Sequence, residues 1–250
     1  MPVQAEEALM EDIMQLFIIR HADPDYRNNT ITQAGHKEAA ALAERFSKEG
    51  LDRIYCSPLG RAIDTMRYTA DRLGLPHTVL DWTREQHPEL FLPMEGHNDK
   101  ALFQLPGEIL RAERPLPTYE NWHEMPVFDP VRDQMLGSVE TIVRESDSFL
   151  ASFGFERAGV RYKLNRSNPE RIAIFCHAGL ALTWIAHLLE IPIPLFWSGF
   201  WIAPSSVTTI LFEERSANWA VPRCVGLGDT GHLTAAGLPR STRGLEANIR

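Results

Sequence analysis

The sequence is short of cysteine, of basic charge and of long apolar runs, and each shortage removes a class of protein. Its three cysteines, Cys56, Cys176 and Cys224, have no metal-ligand spacing and form no even disulfide set. Cys56 and Cys176 end apolar runs, which predicts buried thiols in a reducing compartment and hence a cytoplasmic protein. Lysine and arginine number 25 against 33 aspartates and glutamates, so neither nucleic acid nor an anionic membrane is an expected partner. No apolar stretch approaches the roughly 18–20 residues of a membrane span. Residues 1–13 carry Glu6, Glu7, Glu11 and Asp12 without a basic start or an apolar centre, so they do not read as a signal peptide. They are expected to form a loose acidic extension ahead of Met14. No internal repeat or low-complexity tract is present. With 44% hydrophobic residues in 250, the chain can bury a sizeable core.

What is present is a series of apolar runs that end in functional side chains. Leu16-Phe17-Ile18-Ile19 predicts a buried strand, followed by Arg20, His21 and the turn-forming Ala22-Asp23-Pro24-Asp25. A second strand exit, Ile54-Tyr55-Cys56-Ser57-Pro58, delivers Arg61 on the first turn of a helix. A third, Ile172-Ala173-Ile174-Phe175-Cys176, delivers His177. Helical periodicity marks 32–48, with Thr32 as N-cap, then 58–74, 138–153 and 178–189. Short strands are expected at 78–80, 206–212 and 219–225. This order predicts the α/β class: a three-layer α/β/α sandwich with a mainly parallel central sheet, as a single domain over 14–233. Between 86 and 137 the periodicity breaks down, and seven of the 17 prolines gather there among aromatics. That tract reads as a cap insertion over the strand ends, with short helices near 99–103 and 117–123. The Gly-, Arg- and Ala-rich tail at 234–250 is expected to be loosely held.

Open α/β sheets bind ligands beyond the carboxyl ends of their strands. Two guanidiniums and two imidazoles at such ends, in an acidic protein, point to an anion. An imidazole there can attack phosphorus. Arg20 and Arg61 offer planar donors to the non-bridging oxygens, and His177 with the backbone N–H groups of its helix can meet the same anion. Asn28 and Ser57, beside two of the strand exits, complete the expected substrate-binding set. A leaving alkoxide needs a proton, for which Glu85 is the best-placed acid, with Glu89 and Asp81 as fallbacks. No metal or cofactor is needed, because arginines and histidines already supply a positive field. A competing reading makes His21, Asp23 and His177 ligands of zinc or manganese, against the repulsion of two arginines. Bland readings pair Arg20 and Arg61 with Asp23 or Asp64 and leave Glu85 as a solvated acid.

Taken in order, Arg20-His21-Ala22-Asp23, Ile31-Thr32-Gln33-Ala34-Gly35, Ser57-Pro58-Leu59-Gly60-Arg61-Ala62, Cys176-His177-Ala178-Gly179 and Gly228-Asp229-Thr230-Gly231-His232-Leu233 resemble the histidine phosphatase superfamily, the phosphoglycerate-mutase-like clan. The resemblance runs from about residue 15 to 232. It implies His21 as the phospho-accepting nucleophile, Arg20, Arg61 and His177 as the phosphate clamp, and Glu85 as proton donor. There are departures. The family commonly has glycine and then glutamate or glutamine where Ala22 and Asp23 stand, and the run from Thr83 to Glu89 lacks the usual glycine. Mutases of the clan carry a longer loop before the helix start than the stretch from Ala22 to Ile31. The resemblance therefore implies a metal-independent phosphomonoester hydrolase acting through a phosphohistidine on a small-molecule phosphate ester. The alternatives are a mutase-type isomerase and a catalytically silent phospholigand-binding protein.

Overall fold

The structure is a computed structural model that describes residues 13–85, 91–92, 100–112 and 114–245. The expected extension up to residue 12, the fallback acid Glu89, parts of the expected cap and the last five tail residues lie outside the described residues.

Eight strands form one sheet. They are β1 (Gln15–Arg20), β2 (Arg53–Cys56), β3 (His77–Val79), β4 (Phe155–Ala158), β5 (Arg161–Leu164), β6 (Arg171–Cys176), β7 (Val207–Ser216) and β8 (Trp219–Asp229), in the order β3-β2-β6-β1-β7-β8-β5-β4. The first four are parallel, with Arg20 of β1 opposite Cys176 of β6, and Phe175 of β6 opposite Cys56 of β2. The other pairings are antiparallel. The α/β class holds, but the sheet is mixed rather than mainly parallel. The β4–β5 hairpin escaped the sequence reading because its strands are short and mostly exposed, with a single buried side chain each, Phe155 and Tyr162.

Alternation along the central strands builds the layers. Phe17, Ile19, Ala173 and Phe175 face one way, against Leu42 and Phe46 of α1 (Gln33–Glu49) and Ala62 and Met66 of α2 (Gly60–Leu73). Leu16, Ile18, Ile172 and Ile174 face the other way, against α3 (Arg132–Ser152), α4 (Ala178–Leu188) and α5 (Ile193–Gly199). A short α6 (Gly231–Ala235) follows β8. The Thr32 hydroxyl accepts the Gly35 N–H and caps α1 as expected, and Gly50 (φ +79°) ends it. Cys56 and Cys176 are buried, and burial pushes the Cys56 thiol up to about 12. Among the described residues no helix is long and apolar enough to cross a membrane.

The described part of the 86–137 insertion holds a two-residue strand pair, Phe91–Leu92 with Lys100–Ala101, four short helical turns, Leu102–Gln104, Gly107–Leu110, Trp122–Glu124 and Pro126–Val131, and the first turn of α3, which starts at Arg132 rather than 138. Its Leu102, Leu110, Trp122 and Phe128 belong to the same buried cluster as α4 and α5. Trp122 and Phe128 both meet Trp197 of α5 edge-on, at 6.3 and 6.4 Å. The described part of the insertion is thus continuous with the main core rather than a detached lobe. The tail up to residue 245 is also docked, against expectation. Ser241 donates to Asp23 at 2.6 Å, the Arg243 carbonyl accepts from Arg20, and the Arg240 guanidinium lies 5.5 Å over the Trp201 ring. These anchors are polar and long-range, so no apolar periodicity announced them.

Candidate active site

The parallel register places three strand exits side by side. His21 donates its backbone N–H to the Cys176 carbonyl at 2.9 Å, and the rings of His21 and His177 lie 5.2 Å apart between centroids. On the far side of β6, β2 leaves through Ser57 into α2 and brings in Arg61.

His21 is only 1% exposed, and its Nδ1 lies 2.8 Å from the carbonyl oxygen of Ala22. A carbonyl only accepts, so Nδ1 carries the ring proton and Nε2 keeps its lone pair. Burial first, then the charge of Arg20, holds the ring's pKa well below its ordinary value, so the imidazole is neutral at pH 7. Ala22, where the family more often has glycine, is fully buried, and its N–H donates to the Thr65 hydroxyl at 2.9 Å. Thr65 in turn donates to the Arg61 carbonyl at 2.7 Å, tying the His21 loop to α2.

His177 is buried as well, with Nε2 2.7 Å from the Ser57 hydroxyl. That hydroxyl accepts the Leu59 N–H at 3.2 Å and its own proton has no other acceptor among the described residues, so it goes to Nε2 and the ring proton of His177 sits on Nδ1. Among the described residues Nδ1 has no partner, which makes it a donor in reserve for an anion. Burial first, then the charges of His21 and the two arginines, lowers this pKa too. In the unliganded site both imidazoles are therefore neutral. The positive field comes from the arginines alone, a correction to the expectation that all four groups share it.

Arg20 is 3% exposed and donates to the carbonyls of Ile202 (2.7 Å) and Arg243 (3.1 Å). Arg61 is half-buried, donates to the Asn29 side-chain oxygen at 3.1 Å, and lies 5.4 Å over the Tyr26 ring. The Nε of each arginine is buried without a partner among the described residues. Asp23 accepts instead from Thr32 and Ser241, and Asp64 from Thr30, so neither carboxylate is occupied as the bland reading required. Among the described residues no group of three His, Cys, Asp or Glu side chains is arranged to hold a metal ion.

Glu85 accepts the N–H groups of Gly179 (3.3 Å) and Leu180 (3.0 Å) at the start of α4. Those are the N–H groups expected to meet the phosphate, so the structure corrects that assignment. A Cβ at Gly179 would stand 2.8 Å from Glu85 Oε1 and 2.5 Å from the Phe103 ring, so glycine permits this approach. The fallback acid Asp81 is exposed and paired with Arg84 at 3.2 Å.

The structure thus brings together Arg20, His21, Ser57, Arg61, Glu85 and His177. It does not bring in Asn28, whose side chain is exposed and donates to Asp25 at 2.7 Å. Its neighbour Asn29 (φ +51°) takes that place, and Gly60 makes room for it, since a Cβ there would stand 2.2 Å from the Asn29 carbonyl oxygen. Sequence reasoning also missed Glu38, a buried carboxyl that accepts the Asp23 N–H at 2.8 Å. Burial is the main cause that raises its pKa to about 7. A polar residue on the inner face of α1 was the one signal that could have marked it.

Comparison with known proteins shows the family and the fold. The model of the histidine phosphatase superfamily (branch 1) matches residues 16–150. A curated relative, "Putative phosphoserine phosphatase 2" of Hydrogenobacter thermophilus, is 30% identical over 125 residues, which are 44% of this chain and 60% of that protein. The match to this relative therefore spans less than two thirds of its length. A phosphoserine phosphatase mutant of Entamoeba histolytica, solved with phosphoserine, superposes with a TM-score of 0.58 at 17% identity, over 88% of this chain and 99% of that one. A mycobacterial glucosyl-3-phosphoglycerate phosphatase superposes with a TM-score of 0.53 at 17% identity, over 85% and 98%. At these identities the two structures speak to the fold. With the family model covering more than half of its length, this chain belongs to the histidine phosphatase superfamily.

Proposed function

We propose that the chain is a metal-independent phosphomonoester hydrolase that passes the phosphoryl group of a small phosphorylated metabolite through His21 to water. One observation carries this reading. His21 is a neutral imidazole with its proton fixed on Nδ1, and it stands beside His177 between two arginines whose Nε groups await acceptors. In the first step Nε2 attacks phosphorus in line, the bond to the ester oxygen breaks, and that oxygen takes a proton from Glu85. Arg20, Arg61 and the Nδ1–H of His177 hold the non-bridging oxygens. In the second step water attacks the phosphohistidine, gives its proton back to Glu85, and releases inorganic phosphate. The curated relative's name is consistent with this activity on a small ester.

Acid quench during turnover of labelled substrate tests it. The expected result is an acid-labile, alkali-stable label on the wild type, absent from His21→Ala, with turnover unchanged by a chelator. Label or wild-type turnover in His21→Ala overturns the phosphohistidine. Loss of activity with chelator, restored by zinc or manganese, overturns metal independence.

A further inference from the structure

A cavity of about 450 Å³ meets the candidate site at Arg20, Tyr26 and Glu85. Because Glu85 is the group beside the leaving oxygen, the alcohol part of an ester extends into this cavity. Its walls include Phe103, Trp197, Phe200, Trp201, Ile202 and Leu245. Phe200 and Leu245 stay 43% and 44% exposed, so apolar surface is left to solvent at this place. The indole N–H of Trp201 is buried without a partner among the described residues, leaving one donor for a neutral acceptor atom.

The charges at the cavity are as informative as its walls. Among the described lining residues Arg20 is the one cation, and it is already engaged by two carbonyls and assigned to phosphate. The other charged groups are two acids, Glu85 and Glu108. Arg111 and Arg240, which stand nearby, are held by Ser198 and by the Trp201 ring. A carboxylate on the substrate would lose its water here and find, among the described lining residues, no cation left over from the phosphate. An aromatic group would trade water for aromatic contacts.

From this cavity we infer, on the hydrolase reading above, that the site selects phosphate monoesters of aromatic or apolar alcohols over phosphorylated carboxylic acids. Benzyl phosphate and O-phosphoserine test it, because both leave as alkoxides and make the same demand on Glu85. The ratio of their kcat/KM values therefore reads the cavity. It is expected to favour benzyl phosphate by about tenfold or more, within the range that pocket contacts give. Phe200→Ala should shrink that ratio, and Phe200→Arg, which adds a cation, should move it toward phosphoserine. An equal or reversed ratio in the wild type overturns the inference while leaving the hydrolase reading in place. No turnover of any ester, p-nitrophenyl phosphate included, overturns the hydrolase reading instead. Calorimetric titration with 2-phenylethylphosphonate and 2-amino-4-phosphonobutyrate, which carry CH2 for the bridging oxygen, then decides this point alone. Tighter binding of the former supports the inference, and equal or reversed affinities refute it.

Discussion

Replacing Glu85 by glutamine separates two roles of one carboxylate, the contact with the start of α4 that the structure shows and the proton donation proposed above. Its two oxygens each accept a backbone N–H at the start of α4, from Gly179 at 3.3 Å and Leu180 at 3.0 Å. Glutamine keeps one such oxygen and turns an NH2 group toward the other donor. The variant therefore loses one charge-assisted hydrogen bond and a negative charge at a helix N-terminus, together about 1–2 kcal/mol of stability. Thermal unfolding reads that loss. The acid role has a different signature. To donate a proton, one Glu85 oxygen must hold it and release its N–H, a change favoured when a phosphate dianion arrives beside the carboxylate. Glu85→Gln should therefore slow benzyl phosphate by about a hundredfold, and p-nitrophenyl phosphate, whose leaving group departs as a stable anion, by less than about tenfold. Assays at 25 °C, well below the unfolding transition, keep the stability loss out of the rates. Equal losses on both esters would reduce Glu85 to a helix cap and refute the acid assignment. No loss on either would move the acid elsewhere, and the same pair of esters on Glu89→Gln would then be the deciding measurement.

Arg61→Ala should cost roughly a hundredfold in kcat on both esters alike, because its donors serve the non-bridging oxygens whatever the leaving group; a loss confined to one ester would contradict the clamp role. Gly60→Ala places a Cβ 2.2 Å from the Asn29 carbonyl oxygen, so the loop carrying the Arg61 partner must shift. A drop of about tenfold or more in kcat/KM is expected, and wild-type activity with wild-type Tm would show that the contact is dispensable. Glu38, raised to about 7 mainly by burial, has its charged form disfavoured in the folded protein. Its contribution to stability is full below the unfolded value near pH 4.5 and is lost as pH rises through about 7. Glu38→Gln cannot ionise and keeps an acceptor for the Asp23 N–H. Its stability should pull progressively ahead of wild type between about pH 4.5 and 7, by at most roughly 3 kcal/mol, and hold that lead above pH 7; thermal unfolding across this range reads it, and parallel Tm–pH curves would refute the assignment.

The sequence by itself determined the strands that carry the chemistry and the side chains at their ends. Apolar runs of strand length, broken by Asp23-Pro24 or by Pro58, state where β1 and β2 stop; Arg20 closes β1 and His21 follows it, Arg61 stands on the first turn after β2, and His177 follows β6 directly. Local chemistry of this kind is written within a few residues, as is the Thr32 cap. The tertiary structure decided whatever depends on partners distant in the chain. The tautomers of His21 and His177 are set by the Ala22 carbonyl and by Ser57, and the second of these stands 120 positions from His177. Glu85 finds its N–H donors about 95 positions away, and Arg20 finds a carbonyl in the tail across 223. The choice of Asn29 over Asn28 turned on a left-handed backbone and on the missing Cβ of Gly60. The docked tail, the buried Glu38 and the aromatic cavity have the same origin. Hydrogen bonds and burial act between groups that only folding brings within a few ångströms, and periodicity along the chain carries no record of those pairings.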